Sequence, residues 1–171
     1  MTDAPDLRPA FLEAMSRMAA TVSVLTSDGP GGLAGVTVSS LTSLSADGPA
    51  PTLLACVHHL SPAAAAILTN RAFAANVLAE DQADLSDRFS GRTALKGDAR
   101  FDGLALSKGP GGSPMIDGVA VSFDCQLVSS LLWQTHHLLI GQVQAIRFAD
   151  PGRTALVYAA RGYRRLAGLD G

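Results

Sequence analysis

The sequence predicts a mainly β (α+β) fold, in which an antiparallel sheet closes into a barrel and a few helices lie outside it. First, at least six stretches have the alternating or continuous apolar pattern of strands, and turn residues separate them. Second, only three short stretches have a helical pattern, and no repeat or linker divides the 171 residues. We therefore expect one domain over residues 1–171, with residues 1–8 as a flexible arm.

The first half of the chain contains two of the helices. Pro9 opens the first helical pattern, which has an apolar face formed by Phe11, Leu12, Met15, Met18 and Ala19. The second helix has Ser61 as its N-cap and Pro62 in its first turn. Between and after them, strand patterns cover residues 20–27, 33–44, 52–59 and 73–78.

The second half begins with a helical pattern over residues 81–89, which Gly91 ends. Residues 91–117 are rich in Gly, Ser and Pro, and their length predicts a functional loop or lid. Two long strands follow, over residues 119–128 and 131–148, and a short one lies near residues 156–159. Trp133, the single tryptophan, is interpreted as a core or an interface residue, and we expect the core.

Composition excludes several classes of protein. Thirteen basic and fifteen acidic residues give a net charge of −2, which gives no support to nucleic-acid binding. No apolar run reaches the roughly 18 residues of a membrane span, and no signal peptide is evident at the start. Cys56 and Cys125 lie far apart in apolar runs, so we expect buried free thiols in a protein of the reducing cytoplasm, with no membrane partner.

Residues 35–45 contain six hydroxyl side chains in eleven positions. Small side chains allow a flat ligand to approach the backbone, and hydroxyl and N–H groups can satisfy its ring nitrogens and carbonyls. The alternative interpretation, which composition alone favours, is an edge strand with a solvated Ser/Thr face.

The segment from His58 to Pro62 places a helix N-terminus directly after a strand, which suits a phosphate. An ordinary Ser-Pro cap explains the same residues. His58 and His59 are neighbours on a strand and should point to opposite faces, as should His136 and His137, so no metal site is predicted.

Two arginines follow the third helical pattern. Arg88 and Arg92 are candidates for binding a phosphate or a carboxylate, and the alternative is that they complement the C-terminus of that helix. The sequence has no Gly-x-Ser-x-Gly elbow, phosphate-loop lysine motif or Gly-x-Gly-x-x-Gly motif, which argues against hydrolases, nucleotidases and doubly wound dehydrogenases.

Taken together and in order, these segments resemble the flavin reductase family, the reductase components of two-component flavin-dependent monooxygenases. The resemblance covers nearly the whole chain, and the ordered set is more specific than any one motif. Its residues are 35–45, Pro51, Leu53, Leu54, 57–61, Phe73, 76–78, Leu85, Arg88, Phe89, Pro114, 119–125, His136 and Gly141.

The resemblance implies an FMN-binding split β-barrel that forms a homodimer. It implies reduction of FMN or FAD by NADH or NADPH, with reduced flavin passing to a partner monooxygenase. By the same resemblance, the flavin pocket is formed by Thr37, Val38, Ser39, Ser40, Ser43, Cys56, Val57, His58, Ser61, Phe89 and Ser90.

On the nicotinamide side, the resemblance places His136, with Gly162 and Tyr163 nearby. No residue is assigned a catalytic role with certainty, since hydride transfer between two cofactors needs no protein nucleophile. One departure is Thr135, which stands where the family commonly has Asp. We expect His136 to position the nicotinamide.

Other functions fit the same features. A relative on the same barrel could oxidise another substrate with tightly bound flavin, or the chain could be a non-enzymatic flavin- or haem-binding module. A deazaflavin ligand and an interaction domain with an empty barrel are further alternatives. The sequence does not distinguish FMN from FAD or NADH from NADPH, and it does not identify a partner oxygenase.

Overall fold

The computed structural model of the protein describes residues 6–169. In these residues the chain forms three α-helices, one short 3-10 helix at Gly97–Phe101 and twelve strands. The helices are α1 (Arg8–Ser16), α2 (Pro62–Asn70) and α3 (Ala83–Ser90). The strands are β1 (Ala20–Thr21), β2 (Ser23–Ser27), β3 (Ala34–Val38), β4 (Thr42–Ser45), β5 (Thr52–His58), β6 (Ala72–Val77), β7 (Leu106–Lys108), β8 (Pro114–Ile116), β9 (Val121–Trp133), β10 (His136–Phe148), β11 (Val157–Ala159) and β12 (Gly162–Arg164).

One seven-stranded antiparallel sheet dominates the fold, with the strand order β3-β2-β6-β9-β10-β5-β4. Strands β9 and β10 are 13 residues each and lie in its middle. Two small sheets, β1-β11-β12 and β7-β8, accompany it in the part of the chain that is described. The prediction of a mainly β, antiparallel fold with few helices is therefore confirmed.

The core consists of two clusters of buried apolar side chains. One lies between α2 and the main sheet and includes Phe73, Ile67 and Leu139. This packing requires a glycine at position 141, because a Cβ there would lie only 2.8 Å from Cε1 of Phe73. The second cluster packs α3 against the other part of the sheet around Phe89. Val36 and Val38 of β3 pack in the first cluster, and Gly35 lies against the second, where a Cβ would be 2.8 Å from Cδ1 of Phe89. These contacts fix the position of the segment that follows β3.

The prediction of a long loop or lid over residues 91–117 is wrong for much of that segment. It contains the 3-10 helix and the β7-β8 hairpin, and the side chains of Phe101, Met115 and Ile116 are buried. Arg88 donates hydrogen bonds to the carbonyl oxygens of Ala99 (3.2 Å) and Asp102 (2.6 Å). These few apolar anchors among Gly and Pro residues hold the segment against the core.

The prediction of a strand break near residues 129–130 is also wrong. Ser129 and Ser130 lie within the β9-β10 ladder, and the turn falls at Gln134, which has a positive φ of 51°. Serines are tolerated there because this end of the hairpin extends into solvent. Trp133 at its tip is 67% exposed, so its expected place in the core is wrong.

The N-terminal helix begins at Arg8, inside the segment predicted as an arm; residues 1–5 of that arm lie outside the described residues. No side chain of α1 is buried, and its apolar residues form an exposed face. Strand β12 was not predicted. Within residues 6–169, no helix has both the length and the apolar composition needed to cross a membrane.

Candidate functional site

An open cleft of about 330 Å³ lies at the end of β3 and extends to β5 and β10. Its volume falls within the range of about 300–1,000 Å³ that is usual for ligand sites. A smaller pocket of about 150 Å³ adjoins it and shares Thr37, Val38 and Ser39 with it. The cleft is lined by Val36, Thr37, Val38, Ser39, Ser40, Cys56, Val57, His58, Ser61 and His136.

The hydroxyl groups beside the cleft are partly committed to the protein's own backbone. Thr37 donates a hydrogen bond from Oγ1 to the carbonyl oxygen of Ser86 (2.7 Å). Oγ of Ser40 accepts the N–H of Cys56 and donates to its carbonyl oxygen, both at 3.0 Å. The alternative of an edge strand with a solvated face holds for part of this segment, because β3 and β4 are the edges of the main sheet and Ser39, Thr42 and Ser43 are exposed. Thr37 and Ser40 instead fasten the end of β3 to α3 and β5.

Ser61 occupies the end of the cleft where α2 begins. It is the N-cap residue by position, but its side chain makes no capping hydrogen bond. Its backbone N–H donates to the carbonyl oxygen of His58 (2.9 Å), and Pro62 has no N–H to offer. The hydroxyl of Ser61 is thus directed to no helix N–H and is available to a ligand.

Two histidines meet at the cleft from adjacent strands. His58 and His136 are paired in the β5-β10 ladder, and their ring centroids are 5.1 Å apart. His58 accepts the backbone N–H of Leu60 at Nδ1 (3.2 Å), and Nδ1 of His136 lies 3.0 Å from Oγ1 of Thr135. No cluster of three or more metal-ligating side chains occurs among residues 6–169.

The adjoining pocket has a different polar set. Tyr163 donates to Oδ1 of Asp87 (2.6 Å), and its ring packs edge-on against Tyr158 at 5.5 Å. Burial, followed by the hydrogen bond to Asp87, raises the pKa of Tyr163 above its ordinary value. Arg92 also binds Asp87 (3.0 Å), so this pocket holds a neutral phenol and a paired cation.

The structure brings most of the predicted site residues together, but not all. Ser90 and Tyr163 line the adjoining pocket. Ser43 is exposed on β4, outside both linings, and Gly162 is beside Tyr163 without lining either pocket. Phe89 is 1% exposed and packs on Phe101, because a bulky aromatic ring stabilises the core more than an open cleft.

Three lining residues, Val22, Ser86 and Tyr158, were missed by the sequence interpretation. Ser86 precedes Ser90 by four residues, so the two share a face of α3, and that spacing is a usable signal. Tyr158 carries no comparable signal, because its place depends on the pairing of β11 with β1 and β12.

The side chains that line the cleft suit a flavin. Val36, Val38 and Val57 supply apolar surface for a flat ring, and Ser39 and Ser61 supply hydroxyls at the rim. No Lys, Arg, Asp or Glu is present among the residues that line it. That absence suits an uncharged ring system.

A model of the flavin reductase like domain matches residues 15–167 of this chain. The chain belongs to the flavin reductase like domain family. The resemblance inferred from the ordered motifs is thereby confirmed, and it extends over all the strands of the main sheet.

Individual members of the family are similar over nearly the full chain. A relative from Stutzerimonas stutzeri (strain A1501), named FMN reductase (NADH) RutF, is 40% identical over 164 residues, which are 96% of this chain and 91% of that protein. A flavin reductase domain protein from Arthrobacter sp. FB24 superposes with a TM-score of 0.83 at 26% identity, covering 96% and 98% of the two chains.

A third flavin reductase relative belongs to a two-enzyme system. BorF, the flavin reductase component of a bacterial two-component tryptophan halogenase, has a TM-score of 0.82 at 26% identity. The similarity covers 92% of this chain and 96% of BorF.

Proposed function

We propose that this protein reduces FMN or FAD with NADH and supplies the reduced flavin to a separate flavin-dependent monooxygenase. The observation that carries the proposal is the cleft, where small side chains, hydroxyls and His136 converge. Such a site suits a reaction in which cofactors carry the chemistry. The names of the curated relatives and of BorF support the same reaction and a partner enzyme.

The residues of the cleft have separate roles in this reaction. A bound flavin supplies a ring that accepts a hydride from the nicotinamide. Val36 and Val38 provide the surface for that ring, and Thr37 and Ser40 keep the surface in place through their backbone hydrogen bonds. Ser61 is available to the flavin phosphate, and His136 offers a ring nitrogen to the nicotinamide donor.

We also propose that the main sheet is a closed split barrel in one domain over residues 1–171. Its edge strands β3 and β4 are joined by three residues, and the two hydrogen bonds of Ser40 to Cys56 connect that junction to β5. The closure would complete the cleft at the end where both edges meet.

A homodimer is part of the same proposal. The tip of the β9-β10 hairpin exposes Leu131 (57%), Leu132 (50%) and Trp133 (67%). Such an apolar surface is suited to a second copy of the chain. We propose a cytoplasmic location, which the two free cysteines support.

The test is to follow NADH and NADPH oxidation by the purified protein with FMN and with FAD. We expect turnover with NADH. The His136→Ala variant should raise the KM for the donor several-fold and change kcat at saturation much less, the signature of lost binding that is equal in ground and transition states.

Two other results would redirect the proposal. Flavin that stays bound through gel filtration without nicotinamide oxidation would favour an oxidase of another substrate. An unchanged donor KM together with weakened flavin binding in His136→Ala would place this histidine on the flavin side of the cleft.

A further inference from the structure

The cleft contains a charge pattern that the proposed reaction does not explain by itself. Both expected ligands carry phosphate groups, yet none of the residues lining the cleft is Lys or Arg. Arg92 lines only the adjoining pocket, where Asp87 pairs with it. Among the lining side chains, only His58 and His136 can take a positive charge.

Strand pairing determines where the two imidazoles lie. His58 is the last residue of β5 and His136 the first of β10, and the ladder pairs them directly. Beyond the ladder, the N–H of His59 donates to the carbonyl oxygen of Thr135 (2.9 Å), which holds the two strand ends together. The rings lie 5.1 Å apart at 82°, so one points edge-on at the other.

The hydrogen bond to Leu60 determines which nitrogen of His58 carries its proton. Nδ1 of His58 accepts the N–H of Leu60 (3.2 Å), so in the neutral ring the proton is on Nε2. The ring therefore offers an N–H donor at Nε2.

The hydroxyl of Thr135 contacts the ring of His136. Nδ1 of His136 lies 3.0 Å from Oγ1 of Thr135, and a hydroxyl can either donate or accept. The contact is thus retained whether the ring is neutral or protonated. A carboxylate at position 135 would neutralise the charge of the protonated ring locally, whereas threonine leaves that charge available to a ligand.

We propose that His58 and His136 form a two-imidazole anion site that binds a phosphate group of a nucleotide ligand at the cleft. The proposal rests on the proposed flavin reductase function for the identity of the nucleotides. Two sources share this chemistry: the phosphate of the flavin and the diphosphate of the nicotinamide donor. An N–H donor at His58 beside a second imidazole at His136 matches an anion with several acceptor oxygens.

The experiment compares binding of ligands with and without the phosphate. FMN and riboflavin form one pair, and NAD⁺ and nicotinamide riboside form the other; each is titrated into wild type and His58→Ala by calorimetry. We expect His58→Ala to weaken one phosphate-bearing ligand about fivefold to twentyfold, the scale of a lost charge-assisted hydrogen bond, and to leave its phosphate-free partner within about twofold. The pair that responds identifies the source of the phosphate.

Two further variants complete the design. His58→Asn keeps a side-chain N–H donor and should recover part of the lost affinity. His137→Ala is the matched control, because His137 is the imidazole next to His136 on β10 and does not line the cleft, and it should leave all four affinities unchanged. His59 is unsuitable, since its ring contacts that of His58 at 5.0 Å.

The anion site is refuted if His58→Ala leaves both phosphate-bearing ligands unaffected, or if each phosphate-free partner loses as much affinity. An equal loss in His137→Ala would also refute it, since a general effect of removing an imidazole would then explain the result. The binding measurements do not depend on whether the protein oxidises NADH. A wild type that binds FMN in a His58-dependent way but never oxidises NADH would refute the proposed reaction and retain the anion site.

Discussion

Two segments of this protein are built from small residues, but they do different things. Residues 36–40 border the cleft, and residues 109–112 form a glycine-rich loop between β7 and β8. Both are predicted as functional from the sequence, one as a ligand-binding strand and the other as part of a lid. The first leaves a space beside it, whereas a carboxyl group of the protein itself fills the space beside the second.

That carboxyl belongs to Asp124 on β9, which is fully buried. Oδ2 of Asp124 accepts the N–H of Gly111, and Oδ1 has no hydrogen-bond partner in the described chain. A Cβ on Gly109 would lie 2.7 Å from Cγ of Asp124, and a Cβ on Gly111 would lie 2.7 Å from its Oδ1. Small residues thus indicate that something approaches the backbone closely, but not whether it is a ligand or a side chain.

The two cysteines also differ, because one borders the cleft and the other is buried beside Asp124. Cys56 is half-buried and lines the cleft, whereas Cys125, next to Asp124, is fully buried. Burial, with a smaller contribution from the charge of Asp124, raises the pKa of the Cys125 thiol to about 12. Cys125 is therefore a core residue without thiolate chemistry at neutral pH.

The largest effect should come from filling the glycine loop. Gly109→Ala places a methyl group against Cγ and Cβ of Asp124, so the loop or the strand must shift. We expect a loss of about 3 kcal/mol in the free energy of unfolding, the upper range for overpacking a tight contact. Denaturant unfolding measures it, with Gly168→Ala as the control because nothing lies within 4 Å of its Cβ. Equal stabilities of the two variants would contradict the close packing of this loop.

A change at the cleft should instead affect binding and spare stability. Ser61→Ala removes a hydroxyl that makes no capping bond, so the melting temperature should stay nearly constant. FMN affinity should fall by about 1.5 kcal/mol, the value of a hydrogen bond to a charged phosphate, and riboflavin affinity should fall much less. Parallel titrations measure both. Equal losses for the two flavins would assign Ser61 a role in shape alone.

The smallest effect should be a pH dependence of stability at Asp124. Burial raises the pKa of this carboxyl above its ordinary 3.8, and the Gly111 N–H opposes the rise. The folded protein therefore holds the proton more tightly than the unfolded chain. The stability that this preference contributes is full below pH 3.8 and is lost as the pH rises through the folded pKa.

Asp124→Asn does not titrate and should not show this loss. Relative to wild type, the free energy of unfolding of this variant should rise as the pH increases from acid to neutral. Unfolding curves measured across that pH range provide the comparison. A constant difference between the two proteins would show that Asp124 has the same pKa folded and unfolded.

The parts of the fold that follow from local pattern were predictable, and the parts set by distant contacts were not. Pro62 and Gly91 mark a helix start and a helix end in the sequence, and both are observed where predicted. The hairpin turn at Gln134 was missed because Ser129 and Ser130 are commoner turn residues than Gln and Thr. Only the pairing of β9 with β10 over its full length determines the true turn.

The same distinction holds for the site. The hydroxyl-rich segment and Ser61 were identified because each is continuous in sequence with an element end. The pairing of His58 with His136 was not, since it depends on the β5-β10 register across nearly eighty positions of the chain. Phe89 was placed wrongly for a related reason: a helix pattern shows which residues share a face, but not which of them contact the core.

The order of strands in the main sheet also bears on how the protein is made. The central strands β9 and β10 come late in the chain, and they separate β6 from β5 in the sheet. Without β9 and β10, the earlier strands of this sheet can pair only as β3-β2-β6 and as β5-β4, and each of these partial sheets has an edge that β9 or β10 covers in the complete fold. An incomplete chain therefore presents strand edges at which edge-to-edge aggregation can start, and it acquires His136, and with it a complete cleft, only near the end of synthesis.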